Sequence, residues 1–232
     1  MKKLCRDLGP TLIGLAIVGT ISLWGVCAVA AEEAGDMAPL KIELPRPIFG
    51  GTPLNYDSPN LEISYKARPP FPAPKGATNV AKGKPVGSSV KQPTIGKLEQ
   101  ITDGDKEGVE DSVVTLDSGV QYVQIDLQAV HEIYAVVVWH FHAYDRVYYD
   151  VVLQVADEPE FKQNVRTVFN NDYDNSSGLG EGKDKEFVDS YEGKLIDTKG
   201  VKGRHVRLYS KGNTTDDMNT YIEVEVYGKP AS

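Results

Sequence analysis

The chain has 232 residues, a formal net charge of −8 at pH 7 and 2 cysteines. The acidity argues against nucleic acid or an anionic membrane surface as the main partner. Cys5 and Cys27 both lie before residue 31, so the remainder carries no disulfide and no thiol nucleophile.

A basic start, "MKKLCRDLGP", leads into Thr11–Ala30, an apolar run that ends Ala-Val-Ala. This pattern predicts a secretory signal peptide over 1–30, cut near Ala30 or Ala31. An uncleaved anchor is the alternative, because the run is long enough to span a bilayer. Lipid attachment at Cys27 is disfavoured by the bulky Val26 before it. The short Lys-Lys start suits a bacterial protein destined for the envelope or the outside. Beyond residue 30 the net charge approaches −10, since Lys2, Lys3, Arg6 and Asp7 are left behind.

Residues 31–77 hold 9 of the 14 prolines, between Pro39 and Pro74. Proline lacks an N–H and fixes φ, so the segment is expected to be extended and largely exposed. A plain linker is the favoured reading. The apolar Ile42, Leu44, Ile48 and Phe49 leave room for contact with the domain or with a protein partner.

From Thr78 onward the pattern is all-β. Val123, Ile125 and Leu127 alternate with Gln124 and Asp126, and Val151, Leu153 and Val155 form a second series. Val206 with Leu208, and Ile222, Val224 and Val226, supply two more. Period-2 alternation predicts half-buried antiparallel strands. "EIYAVVVWHF" is apolar on both faces and reads as a central strand. Turn-rich clusters such as "DSG", "NNDYDNSSGLGEG" and "SKGNTTDD" separate them.

Several of these segments, in order, resemble one family: "NVAKGKPV", "ITDGD", "YVQIDL", "IYAVVVW", "YDVVLQVADEPEF", "GRHVRLYS" and "YIEVEVYG". The chain is similar over residues 78–228 to the discoidin, or coagulation-factor 5/8 type C, domain. That domain belongs to the galactose-binding-like superfamily, close to family 32 carbohydrate-binding modules. The resemblance implies an antiparallel jelly-roll β-sandwich of about eight strands, with residues 229–232 as a tail. It also implies a non-catalytic module that binds carbohydrate or another cell-surface polymer through loops at one end. Two departures stand out. No disulfide can close the domain, and "DSVVTLDSGVQY" lacks the Trp many members carry after "DG".

The same resemblance implies a structural calcium at "TDGD". Its expected ligands are the side chains of Asp103, Asp105 and Glu223 and a carbonyl near Gln100, which suits a hard cation. Gly108 stands where the family often has a Thr, so only its carbonyl is available. An Asp-Gly turn that caps itself is the alternative. The stretch Asn170–Glu181 has calcium-loop spacing, but Asn175 replaces the required glycine, and a solvated turn is favoured.

Beyond Trp139, His140, His142, Tyr144 and Arg146 follow one another off the central strand. Strand alternation puts His140 and His142 on one face and Trp139 and Phe141 on the other. Zinc would need a third ligand, for which His131 and His205 are not obviously placed. An aromatic beside His, Arg and Asn suits a sugar. His140, His142, Tyr144 and Arg146, with Asn170 or Asn213 facing them, are therefore the candidate ligand site, and Trp139 is read as core. No nucleophile elbow or zinc-protease motif occurs, and Asp216 with Asp217 reads as a solvated loop. A protein-interaction module that uses the Pro-rich arm remains the rival function.

Overall fold

The computed structural model describes residues 36–231 apart from 49, 50, 52, 54 and 65. The expected signal peptide lies outside the described residues. Three short strands belong to the Pro-rich segment: β1 (Met37–Pro39), β2 (Leu61–Glu62) and β3 (Pro72–Pro74). The domain adds β4 (Thr78–Asn79), β5 (Val86–Ser88), β6 (Val114–Leu116), β7 (Gln121–His140) and β8 (Val152–Ala156). It continues with β9 (Arg166–Asn170), β10 (Glu186–Phe187), β11 (Lys194–Ser210) and β12 (Asn219–Pro230). The main sheet has 8 strands, in the path β4-β12-β7-β11-β8-β9 with β5 on β7 and β6 on β12. All its pairings are antiparallel, and the strands wrap as a β-sandwich around one core.

That core is the alternation seen in the sequence: Val123, Ile125, Leu127, Leu153, Val155, Val206, Leu208, Val224 and Val226 all face inward. β7 is the exception to simple alternation. Across from it, Tyr227 pairs with Ala135 and Gly228 with Ile133, so Tyr134 is an extra residue. Such a bulge exchanges the two faces of a strand. Ile133 is inward, but so are Val136 and Val138, while Ala135, Val137 and Trp139 turn outward.

The outward face is covered, and the cover is the Pro-rich arm. Leu40, Ile42 and Phe71 pack on Ala135, Val137, Trp139 and Tyr227. β1 pairs with β3, and β2 adds to β10 in parallel. The Arg68 guanidinium donates 2.8 Å bonds to the carbonyls of Glu192 and Gly193. Tyr56 and Ser58 both donate to Glu186. The arm is extended, as expected, but it is no linker: its described residues gather with the rest of the domain into one compact unit. β12 likewise continues to Pro230, paired with His131, so Lys229 and Pro230 are sheet residues, not tail.

Candidate functional site

Three loops meet at one end of the sandwich: 141–151, 170–184 and 211–219. Tyr149 and Gly212 join the first to the third by a 3.0 Å backbone bond, and Thr214 donates to Val147 at 3.0 Å. Asn171 donates to Val151 at 3.2 Å, and Ser176 Oγ to Asp150 at 2.6 Å, which brings in the second loop.

The six candidate ligand residues do not all reach this rim. His140 is fully buried. It stacks on Tyr148 at 4.2 Å between centroids, and its Nδ1 lies 3.2 Å from Asp189 Oδ1. The bulge at Tyr134 explains this, because it sends His140 inward with Val136 and Val138. His142 is also buried and donates from Nε2 to the Lys106 carbonyl at 3.0 Å. Asn170 bridges its own loop, donating to Gly180 O at 2.8 Å and accepting from Asp172 N at 2.8 Å. Asn213 does the same within 213–218, bonded to Thr215, Asp216 and Met218. Placing these four side chains on the rim is therefore corrected: two are core histidines and two are loop braces.

Tyr144 and Arg146 remain. Tyr144 is 65% exposed, and every other aromatic side chain among the described residues is at least partly buried. Its ring leans on Phe141, 5.7 Å between centroids. Arg146 lies over the same Phe141 ring at 5.0 Å and donates to Asp216 at 3.3 Å. Phe141 thus packs against both an exposed aromatic ring and a guanidinium whose side chain is only 12% exposed. In the sequence Phe141 is placed only on the face opposite the histidines and Asp216 reads as a solvated loop, and nothing local marks either as a rim support. The arm reaches the same end, where the Gly51 amide donates to Asp145.

Among the described residues the histidines join no group of three close metal-ligating side chains. Among the described residues, the one set of three His, Cys, Asp or Glu side chains gathered within 4.8 Å is Asp150, Asp172 and Asp174. Asp172 there is already taken up by the amides of Ser176 and Ser177, and Asp150 by Ser176 Oγ. The loop Asn170–Glu181 is thus braced by its own side chains.

At the "TDGD" turn, Gly104 has φ +96°, a conformation glycine adopts without strain. Asp103 accepts from the Asp105 amide at 2.8 Å, and Asp105 from the Glu107 amide at 3.0 Å and Ser112 Oγ at 2.8 Å. The Gln100 side chain is spent on Lys97 and Asp111, while its carbonyl accepts weakly from Asp103 at 3.5 Å. Gly108 faces the His142 ring, where a Cβ would sit 2.9 Å from Cε1, so a larger residue has no room.

Glu223 differs from all of these. It is completely buried, and neither carboxylate oxygen has a hydrogen-bond partner. Burial, with Glu225 and Asp103 nearby, pushes its pKa up to about 9, against the pull of the Gly104 amide and Lys106. A buried carboxylate in this position needs a proton or a cation. The calcium ligands that the resemblance implies are not assembled here: Asp103, Asp105 and Glu223 do not gather within 4.8 Å of one another, and Asp103 and Asp105 are spent on the turn's own amides and Ser112.

No family model matches the chain, and no curated protein does. Among solved structures, it is similar to the family 32 module of AlyQ in complex with 4,5-unsaturated mannuronic acid. The identity is 16%, over 61% of this chain and 92% of that one, with TM-score 0.44. It is similar to a family 32 module of Clostridium perfringens, CpGH89CBM32-4, in complex with GlcNAc-α-1,4-galactose. There the identity is 18%, over 67% and 96% of the two chains, with TM-score 0.47. A longer chain from the same organism, CpGH89 in complex with that disaccharide, is matched at 16% identity and TM-score 0.48, over 66% of this chain and 15% of its own length. The likeness is one of fold.

Proposed function

We propose that this chain is an exported, non-catalytic protein that binds carbohydrate at the 141–151 rim and holds a structural calcium at Asp103, Asp105 and Glu223. The observation that carries the binding reading is the exposed Tyr144 ring seated on Phe141 beside Arg146. A sugar presents an apolar ring face bordered by hydroxyls. An aromatic surface takes the face, and the planar guanidinium fork, already oriented by Asp216, can bond two hydroxyls.

The rival reading, a tether that uses the Pro-rich arm, has less to support it. Leu40, Ile42, Phe71 and Arg68 of the arm are engaged by its own domain, while Met37, Leu44 and Ile63 stay exposed. Bound calcium would supply positive charge to Glu223, with Asp103, Asp105 and the Gln100 carbonyl as the further donors of this reading.

The test is a glycan array probed with the wild-type protein and with Tyr144→Ala. Binding to defined glycans that the variant loses supports the reading. A wild-type protein that retains no glycan, or a variant that binds equally, overturns it.

A further inference from the structure

The Arg146 side chain lies over Phe141 and reaches Asp216, but its main chain is held from within. The Arg146 carbonyl accepts a 2.9 Å bond from the Asp189 amide. Asp189 lies between β10 and β11, and its carboxylate turns into the core, where Oδ1 is 3.2 Å from His140 Nδ1. A carboxylate only accepts, so Nδ1 carries the hydrogen. The His140 ring in turn stacks on Tyr148, 4.2 Å between centroids and 14° from parallel, with the Tyr221 ring 4.8 Å away. Tyr148 is two residues beyond Arg146, so these contacts close a ring. It runs from the Arg146 main chain to Asp189, to His140, to Tyr148 and back along the chain to Arg146.

Asp189, His140 and Tyr148 are all buried, and Asp189 Oδ2, His140 Nε2 and Tyr148 Oη have no hydrogen-bond partner. A buried His–Asp pair with atoms left over costs stability, and apolar side chains of similar volume would pack there at less cost. What apolar side chains cannot do is fix a direction. The bond from Nδ1 to Oδ1 sets how Asp189 is turned, and with it where the Asp189 amide points. We propose that Asp189 is a positioning residue for the rim. Clasped to the end of β7 through His140, it holds the Arg146 main chain where the guanidinium can lie over Phe141 and meet a ligand. Phe141 is the next residue after His140, so this one stretch fixes Arg146 twice: its main chain through His140 and Asp189, its side chain through Phe141. The inference rests on the carbohydrate reading above, which gives Arg146 its part in binding.

The test follows the Arg146 Nε–Hε signal of the full chain by nitrogen-edited NMR, assigned by its loss in Arg146→Met. Asp189→Ala removes the clasp and should shift or broaden that signal. It should also weaken binding to the array glycan that wild type holds best by about tenfold, the worth of a well-placed charged hydrogen bond. Asp189→Asn keeps an acceptor for His140 Nδ1 and should restore binding to within about threefold of wild type. His140→Phe keeps a ring against Tyr148 but loses Nδ1, so it should act as Asp189→Ala does and stands in for that variant if it does not fold. Val206→Ala, in the core between Ile125 and Val155, should lower the melting temperature without moving the signal, which separates positioning from lost stability. An unmoved Arg146 signal in a folded Asp189→Ala or His140→Phe protein overturns the inference and leaves the rim reading standing. A signal that moves while affinity holds overturns it too, as does failure of both variants to fold, which would make the pair a stability element. Wild type that binds no glycan overturns the carbohydrate reading itself, so the two failures are distinguishable.

Discussion

Glu223 stands opposite Trp139 in the β7–β12 register, and both side chains are completely buried. Trp139 is fully served, donating from Nε1 to the Tyr191 carbonyl at 2.9 Å. Glu223 has no side-chain partner and only the pull of the Gly104 amide. The same pair of strands thus carries one satisfied and one unsatisfied polar group at adjacent positions.

The first prediction concerns pH in the metal-free protein. Glu223 is raised from 4.5 to about 9. A group whose folded pKa is raised gives its full contribution below the unfolded pKa and loses it as pH climbs through the folded one. Chelated protein should therefore lose stability progressively between about pH 4.5 and 9, by no more than about 1.4 kcal/mol for each pH step of one. Glu223→Gln should flatten that slope and abolish any calcium effect on the melting temperature. A chelated wild type whose melting point does not fall over this range rules the mechanism out.

A second concerns the acid limb. Arg204 grips Asp126 with bonds of 2.7 and 2.8 Å and holds its pKa down to about 2. A depressed carboxyl contributes above its unfolded pKa and loses that contribution as pH falls toward 2. The Arg204 side chain is 43% exposed, so screening limits the gain to below about 1 kcal/mol. Asp126→Asn should lower stability by that amount at neutral pH and have little effect below pH 2. Urea titrations at both pH values measure it.

The third concerns the arm. Gly193 has φ +66°, and a Cβ there would lie 2.6 Å from Trp139 Cε2. Its carbonyl is one of the two held by Arg68. Gly193→Ala therefore combines backbone strain with overpacking and should cost at least about 2 kcal/mol. Phe71→Ala removes a partly buried ring from the cover over Trp139 and should cost about 1–3 kcal/mol. Urea midpoints followed by Trp139 fluorescence read both, and unchanged midpoints would mean that the arm does not cover the sheet.

Much of the fold was legible because period-2 alternation is a local signal: Val123 to Leu127 and Ile222 to Val226 lie in strands, as read. The histidines were misplaced for a non-local reason. One extra residue at Tyr134 reverses the strand's faces, and it shows only in the pairing with Tyr227 and Gly228. The arm was misread because prolines break any periodicity. Leu40, Ile42 and Phe71 therefore reveal no common face until the chain folds back on Val137 and Trp139. Asn170 and Asn213 look identical to ligand-binding amides, and only their bonds within their own loops tell them apart.

The last prediction separates rim from core within the same short stretch. Tyr144 and His142 are two residues apart, but one is 65% exposed and the other 1%. Tyr144→Ala removes a surface ring with no hydrogen bond to lose, so its stability should stay within about 0.5 kcal/mol of wild type. Binding to a glycan identified on the array should nevertheless weaken by about tenfold, the worth of one good aromatic contact. Arg146→Ala should do at least as much, since a hydrogen bond from a charged group is worth about 1.5–3 kcal/mol. His142→Ala should behave the other way. It leaves the Lys106 carbonyl without its donor and opens a space beside Gly108, which together should cost about 1–3 kcal/mol of stability. The folded fraction of that variant should still bind glycan. Melting curves and glycan titrations on the three variants place each residue on one side of the division. A His142→Ala protein as stable as wild type but unable to bind would return that histidine to the rim.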